Sequence, residues 1–286
     1  MKKILFIALV TVLLGTLVAQ EKWEYSFDVK GTLSQSFYTD NWDGEEESNI
    51  NWLIQGNMTA NKQLLDWFRS MNTLKMKFGQ IYDTEKDPVT DAQLPGWQEP
   101  RKSDDEIDLL SLGLITLDGW VDPYVSLRLE TVFEGTNKRA FDPARFSQGI
   151  GASKIIFEEP RLGLNTRAGL LMRENYIYGV SPMIDGGAES VTEFMWVCPF
   201  DKTKFTSNLF LFQAFFNSEE DDLVDVNGEK IDDWKQLDIE WTNELSIQLY
   251  KYLSFNVYTQ LLYDKEIDYT GRFKQTSGLS ITYKLF

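Results

Sequence analysis

Between residues 235 and 249 the chain alternates with a period of two. Lys235, Leu237, Ile239, Trp241, Asn243, Leu245, Ile247 and Leu249 form one set; Gln236, Asp238, Glu240, Thr242, Glu244, Ser246 and Gln248 form the other. Successive side chains of a strand point to opposite faces, so a strand here is largely apolar on one side and carries carboxylates and amides on the other. A helix would scatter Asp238, Glu240 and Glu244 among the leucines and leave no clean apolar stripe. The alternation lasts fifteen residues, whereas a typical strand has about five or six. That length suits a strand tilted across a bilayer, with lipid on one face and a polar lumen on the other. A long strand of a soluble antiparallel sheet competes with this reading until the rest of the chain is considered.

The same alternation returns at 23–37, 50–61, 73–78, 125–133, 162–173, 253–261 and 279–285. Weaker strands fit 106–117, 150–157, 191–198 and 204–216. The last two are apolar on both faces, so periodicity alone does not separate strand from buried helix, and their Phe and β-branched content favours strand. Together these make twelve strands, an even number as in single-chain bacterial barrels. Short connections at 64–70, 118–122, 158–160, 199–203 and 250–252 alternate with long polar ones at 38–49, 83–105, 134–149, 173–190, 217–233 and 264–272. A soluble sandwich has no reason to sort its loops in this way; an outer-membrane barrel has short periplasmic turns and long extracellular loops. Trp23, Trp67, Trp120, Tyr250 and Tyr252 fall at the short-turn end, and Trp42, Trp234, Tyr263 and Tyr269 near the long loops. Two such girdles mark two membrane interfaces. The expected fold is all-β: a single antiparallel transmembrane β-barrel of about twelve strands.

The N-terminus fits export. Lys2 and Lys3 precede the apolar run 4–14, followed by Gly15, Thr16 and Ala19, the pattern of a cleaved secretory signal. The expected division is a signal peptide over 1–19 and a barrel domain over 20–286, located in a bacterial outer membrane. Cys198 is the only cysteine, which excludes an internal disulfide and a lipoprotein cysteine at the cleavage site. Without Lys2 and Lys3, 26 bases face 44 acids. That balance disfavours nucleic acid and anionic membrane surfaces as partners. The partners expected instead are outer-membrane lipid and lipopolysaccharide, the barrel-assembly machinery and small polar solutes.

The stretch Ser280-Ile281-Thr282-Tyr283-Lys284-Leu285-Phe286 resembles the terminal assembly signal of outer-membrane barrels, with Phe286 one step out of phase with Leu279, Ile281, Tyr283 and Leu285. Trp52, residues 56–61 and the run Arg101-Lys102-Ser103-Asp104-Asp105-Glu106-Ile107-Asp108-Leu109 resemble an uncharacterised outer-membrane barrel family, domain-of-unknown-function family 3078. The resemblance implies fold and location; the family has no assigned activity.

The chain has no histidine, so Ser–His and Asp–His arrangements are impossible. Outer-membrane barrel enzymes, as families, mostly use one, and no enzyme is expected here. Gly149-Ile150-Gly151 lacks the third glycine and the context of a phosphate loop. The acidic runs Glu45-Glu46-Glu47 and Glu219-Glu220-Asp221-Asp222 offer hard oxygens, with a solvated loop as the plainer reading. Asp225-Val226-Asn227-Gly228 is no calcium loop, because Leu223 and Trp234 hold its first and last ligand positions. Neither a metal nor a cofactor is expected.

The lumen face is more informative. Asp238, Glu240 and Glu244 point inward from one strand, and Lys75, Lys77 and Arg128 from the opposite side, with Arg167, Arg173 and Lys154 extending the basic side and Glu130 and Glu193 as local partners. Such opposed rows make a lumen constriction for small polar solutes or ions in a narrow, porin-like, non-enzymatic channel. The alternative is a closed barrel: the same charges pair across the middle as a plug, and the acidic surface loops bind divalent cations, lipopolysaccharide or a protein partner.

Overall fold

The computed structural model describes residues 23–36, 49–84, 96–117, 119–135, 138–199, 202–220, 223, 230, 232–265 and 270–284. The stretch expected to be a signal peptide (1–19), Glu45–Glu47 with Trp42, Asp221, Asp222 and Phe286 lie outside them. Twelve strands run in chain order: β1 (Glu24–Ser36), β2 (Asn49–Leu65), β3 (Phe68–Asp83), β4 (Arg101–Ile115), β5 (Asp122–Thr131), β6 (Ala144–Glu159), β7 (Leu162–Tyr176), β8 (Met183–Val197), β9 (Thr203–Asn217), β10 (Leu237–Gln248), β11 (Leu253–Tyr263) and β12 (Arg272–Lys284). Each pairs antiparallel with its sequence neighbours, and β1 pairs with β12 through Asp28↔Lys284 to Leu33↔Leu279. The wall is closed, so no edge strand is left with unpaired backbone groups.

The polarity of this barrel is inside out. Tyr25, Leu33, Ile54, Val125, Leu127, Ile150, Leu170, Leu279, Ile281 and Tyr283 are exposed on the outer wall, while Asp108, Arg167, Arg173, Asp185 and Glu189 are buried. An exterior apolar on every strand is stable in hydrocarbon and unstable in water. With a strand tilt of about 40°, a strand needs about ten residues to cross; β5, the shortest, has ten. The molecule is a transmembrane antiparallel β-barrel.

Strand bounds shift most at the long-loop end. β6 begins at Ala144 and β8 at Met183, so the long connection expected at 173–190 shrinks to residues 177–182 between β7 and β8. Register shifts at Ile155/Phe157 and Gly186/Gly187 interrupt the two-residue period, as β-bulges do. At the short-turn end Trp67, Trp120, Tyr250 and Tyr252 are exposed; at the other end so are Trp97, Tyr176 and Tyr178.

Two positions differ from expectation. Lys154 faces outward: its neighbour Ser153 is buried inside, and its ammonium donates to the Trp120 carbonyl at 2.7 Å and sits 4.9 Å from the Trp120 ring centroid. A lysine near an interface can keep its stem on the wall and its charge at the rim, so it adds nothing to the basic side of the lumen. Trp234 belongs to no outer girdle. It sits on a short 3₁₀ helix, η1 (Asp233–Lys235), buried against Leu171, Phe212 and Ala214, all of which point inward.

Candidate functional site: the barrel interior

The interior is divided lengthwise. On the side of β4–β9 it is packed. Leu112 and Leu114 of β4 and Tyr124 of β5 form one buried cluster with Met71 and Ile155 against it; Leu171, Phe212, Ala214 and Trp234 form another, with Phe210 against it. Apolar side chains on inward positions are unusual for a water-filled pore; here they act as the core of a soluble domain would.

Tyr124 shows how the packed side is held. Its hydroxyl donates to Glu189 at 2.7 Å across to β8, inside the barrel. The ring lies against inward-facing glycines: a Cβ on Gly151 would stand 2.8 Å from the Tyr124 ring, and one on Gly169 would stand 2.7 Å from its hydroxyl. Gly151, the last residue of the run Gly149-Ile150-Gly151, thus makes room for an aromatic side chain. Tyr124→Phe leaves the buried Glu189 carboxylate without this donor and is expected to cost about 1–3 kcal/mol. Urea unfolding of the refolded barrel measures it; a change below about 0.5 kcal/mol would mean that the bond is unimportant.

The rest of the interior is a lattice of ion pairs. Lys77 of β3 donates to Glu106 of β4 at 2.7 Å and lies 5.9 Å from the ring centroid of Tyr258 on β11. Arg128 of β5 makes two bonds to Asp108, 2.8 and 3.1 Å, and reaches Glu130 at 3.2 Å. Arg173 of β7 binds Asp185 at 2.6 Å and Asp238 at 3.2 Å, with its guanidinium 3.7 Å from the Phe212 ring centroid. Lys30 of β1 pairs with Glu244 of β10. Lys274 of β12 binds Asp104 at 2.7 Å, and Arg69 of β3 binds Glu158 at 3.3 Å. Gln260 donates to Glu240 at 3.0 Å. Arg167 approaches Glu193 at 3.9 Å.

Several of these link strands three or four positions apart around the wall, which is possible only through the lumen. All six residues of the expected rows sit on inward positions. The bases are matched chiefly by Glu106 and Asp108 on β4, between the two strands that carry them. The acids of β10 are matched by Arg173, Lys30 and Gln260. Lys75 stands opposite Asp108 in register and has no ion pair within 4 Å among the described residues. Glu106 and Asp108 were legible: Asp104, Glu106 and Asp108 share one phase with Leu110, Leu112 and Leu114, a switch from charge to core along one inward row.

No protein-family model matches the chain and no curated protein does, so the resemblance drawn from Trp52, residues 56–61 and residues 101–109 finds no support there. Solved structures that align include an outer-membrane channel from Pseudomonas putida F1, 10% identical over 91% of this chain and 94% of that one, TM-score 0.42. The translocator domain of the autotransporter NalP from Neisseria meningitidis aligns with 9% identity over 99% and 95%, TM-score 0.35. The β domain of the Bordetella autotransporter BrkA aligns with 10% identity over 91% and 97%, TM-score 0.34.

Proposed function

We propose that this barrel resides in a bacterial outer membrane and forms a narrow, non-enzymatic passage for small polar solutes or ions. The reading rests on one observation, the water-accessible surface that inward charged side chains retain within the wall. Glu244 and Lys30 keep 34% and 18% of their side-chain surface, Glu106 and Lys77 keep 40% and 22%, and Arg128 keeps 29%. These residues lie on β1, β3, β4, β5 and β10, so the passage runs past the packed clusters of Leu112, Leu114 and Tyr124 and of Leu171, Phe212 and Trp234. A second reading, the closed barrel with ligand-binding surface loops, draws on the ion pairs that bridge distant strands.

Salt-gradient recordings in planar bilayers separate them. Neutralising Asp238, Glu240 and Glu244 together removes one of the two carboxylates of Arg173 and the partner of Lys30, so permeability is expected to shift towards anions. Replacing Lys75, Lys77 and Arg128 by Gln leaves Glu106, Asp108 and Glu130 uncompensated and shifts it towards cations. Unit charges about 8 Å apart at an effective dielectric of about 20 interact by roughly 2 kcal/mol, enough for a several-fold bias. A conducting parent whose reversal potential ignores both triple variants refutes the charged passage. A parent that does not conduct, and opens without a consistent sign in either variant, supports the closed barrel.

A further inference from the structure

The outer wall carries polar groups as well as apolar ones, and most of them are satisfied locally. Thr166 and Thr192 bond each other at 3.2 Å. Asn72 donates to the Ala60 carbonyl and to Ser70, and accepts from Ser111. Ser207 accepts from the Trp241 indole at 3.0 Å. One row is different. Asn243 of β10, Thr259 of β11 and Gln275 of β12 are neighbours in register, and each is in phase with exposed apolar outer residues, Trp241, Phe255 and Phe273. Asn243 and Thr259 lie midway along their strands, at the depth of the hydrocarbon. No side-chain hydrogen bond to any described residue serves Asn243, Thr259 or Gln275.

An amide facing acyl chains has no partner there, and leaving its donors and acceptor unmet is costly. Carboxamides and a hydroxyl carry both donors and acceptors, so the row is complementary in partial charge to a second copy of itself; lipid tails are complementary to none of it. Polar side chains hydrogen-bonding across transmembrane surfaces hold segments together in this way. Four to six residues further along β11 and β12, towards the short-turn end, the wall is also concave. Gly31, with Leu33, Ile54, Leu279 and Ile281, lines a recess on the far side of β12, and a Cβ at Gly31 would meet nothing within 4 Å. Row and recess share the outer face of β12 beside the seam where the barrel closes, with hydrogen-bonding groups towards one end and room for an apolar side chain towards the other.

We infer that the outer face of β10–β12 is the surface through which two copies of this chain pair in the membrane, with the Asn243–Thr259–Gln275 row of one copy bonded to that of the other in a two-fold arrangement. Symmetry of this kind presents the same patch from both copies and needs a self-complementary surface. The inference stands independently of conduction through the lumen.

The test is energy transfer between copies reconstituted in lipid vesicles, each labelled at an introduced Glu220→Cys in a Cys198→Ser background. The parent is expected to show transfer above the random-mixing level at low protein-to-lipid ratio. Asn243→Leu with Thr259→Val and Gln275→Leu should weaken the pairing at least tenfold while the barrel stays folded, because each change suits a lipid-facing wall. Thr259→Trp gives a second variant that folds with lipid outside yet blocks close approach. Random-mixing transfer in the parent overturns the inference, as does transfer that both variants retain.

Discussion

Arg173→Met is expected to destabilise the barrel by about 3–5 kcal/mol, the range for removing one member of a buried ion pair. Arg173 retains 8% of its side-chain surface and Asp185 retains 3%, so the carboxylate left behind has little water to turn to. Its remaining bond is a long one, 3.5 Å from the Asn175 amide. The loss extends upward as well. The guanidinium stacks on Phe212, and Phe212 packs under Trp234, so the substitution loosens the floor on which η1 rests. The double variant Arg173→Met/Asp185→Asn should recover part of the loss, since it removes the unpaired charge along with its partner. Urea unfolding of the refolded protein in lipid vesicles, followed by tryptophan emission, measures both. Equal stability of parent and Arg173→Met would show that the packed side of the lumen does not depend on this ion pair.

The second large effect lies on the outer wall. Leu170 is near the middle of β7 and 56% exposed; Leu170→Arg places a guanidinium against the hydrocarbon midplane and should cost about 2–4 kcal/mol. Ile239 and Ile247 also face outward, but they lie near the two ends of β10, where an arginine can snorkel to a headgroup. There the expected cost is about 0–1 kcal/mol. Glu240→Gln, facing the water-accessible lumen, should be milder than Leu170→Arg. The same unfolding measurement in vesicles ranks the set. If Leu170→Arg and Ile239→Arg cost the same, the depth assigned to the wall is wrong.

The pattern of residues by itself determined the class and most of the wall. A two-residue period is local: it follows from the geometry of one strand and the contrast between two environments, so Ser26, Asp28 and Lys30 can be assigned a face without knowing their neighbours. The period failed where the contrast vanished. Val191, Phe210 and Phe212 point into a packed interior while Phe194 and Leu209 point to the outside, so both faces of β8 and β9 are apolar. It failed again where the Ile155/Phe157 bulge shifted the phase. Lys154, in phase with the exposed Ile150, belonged outside from the start; its charge suggested the lumen, and the rim beside Trp120 explains how the wall tolerates it.

Only the tertiary structure decided which charges meet. Lys30 with Glu244, Arg173 with Asp238 and Lys274 with Asp104 join strands three or four positions apart. Such pairs depend on the circumference of the closed sheet and on how far the strands are staggered around it, and neither quantity is written in the period of any one strand. Trp234 is the clearest case. An aromatic in a polar loop reads as a girdle residue, yet inward-facing Leu171, Phe212 and Ala214 make an apolar seat inside the mouth, and burying an indole there removes more apolar surface from water than leaving it at the rim.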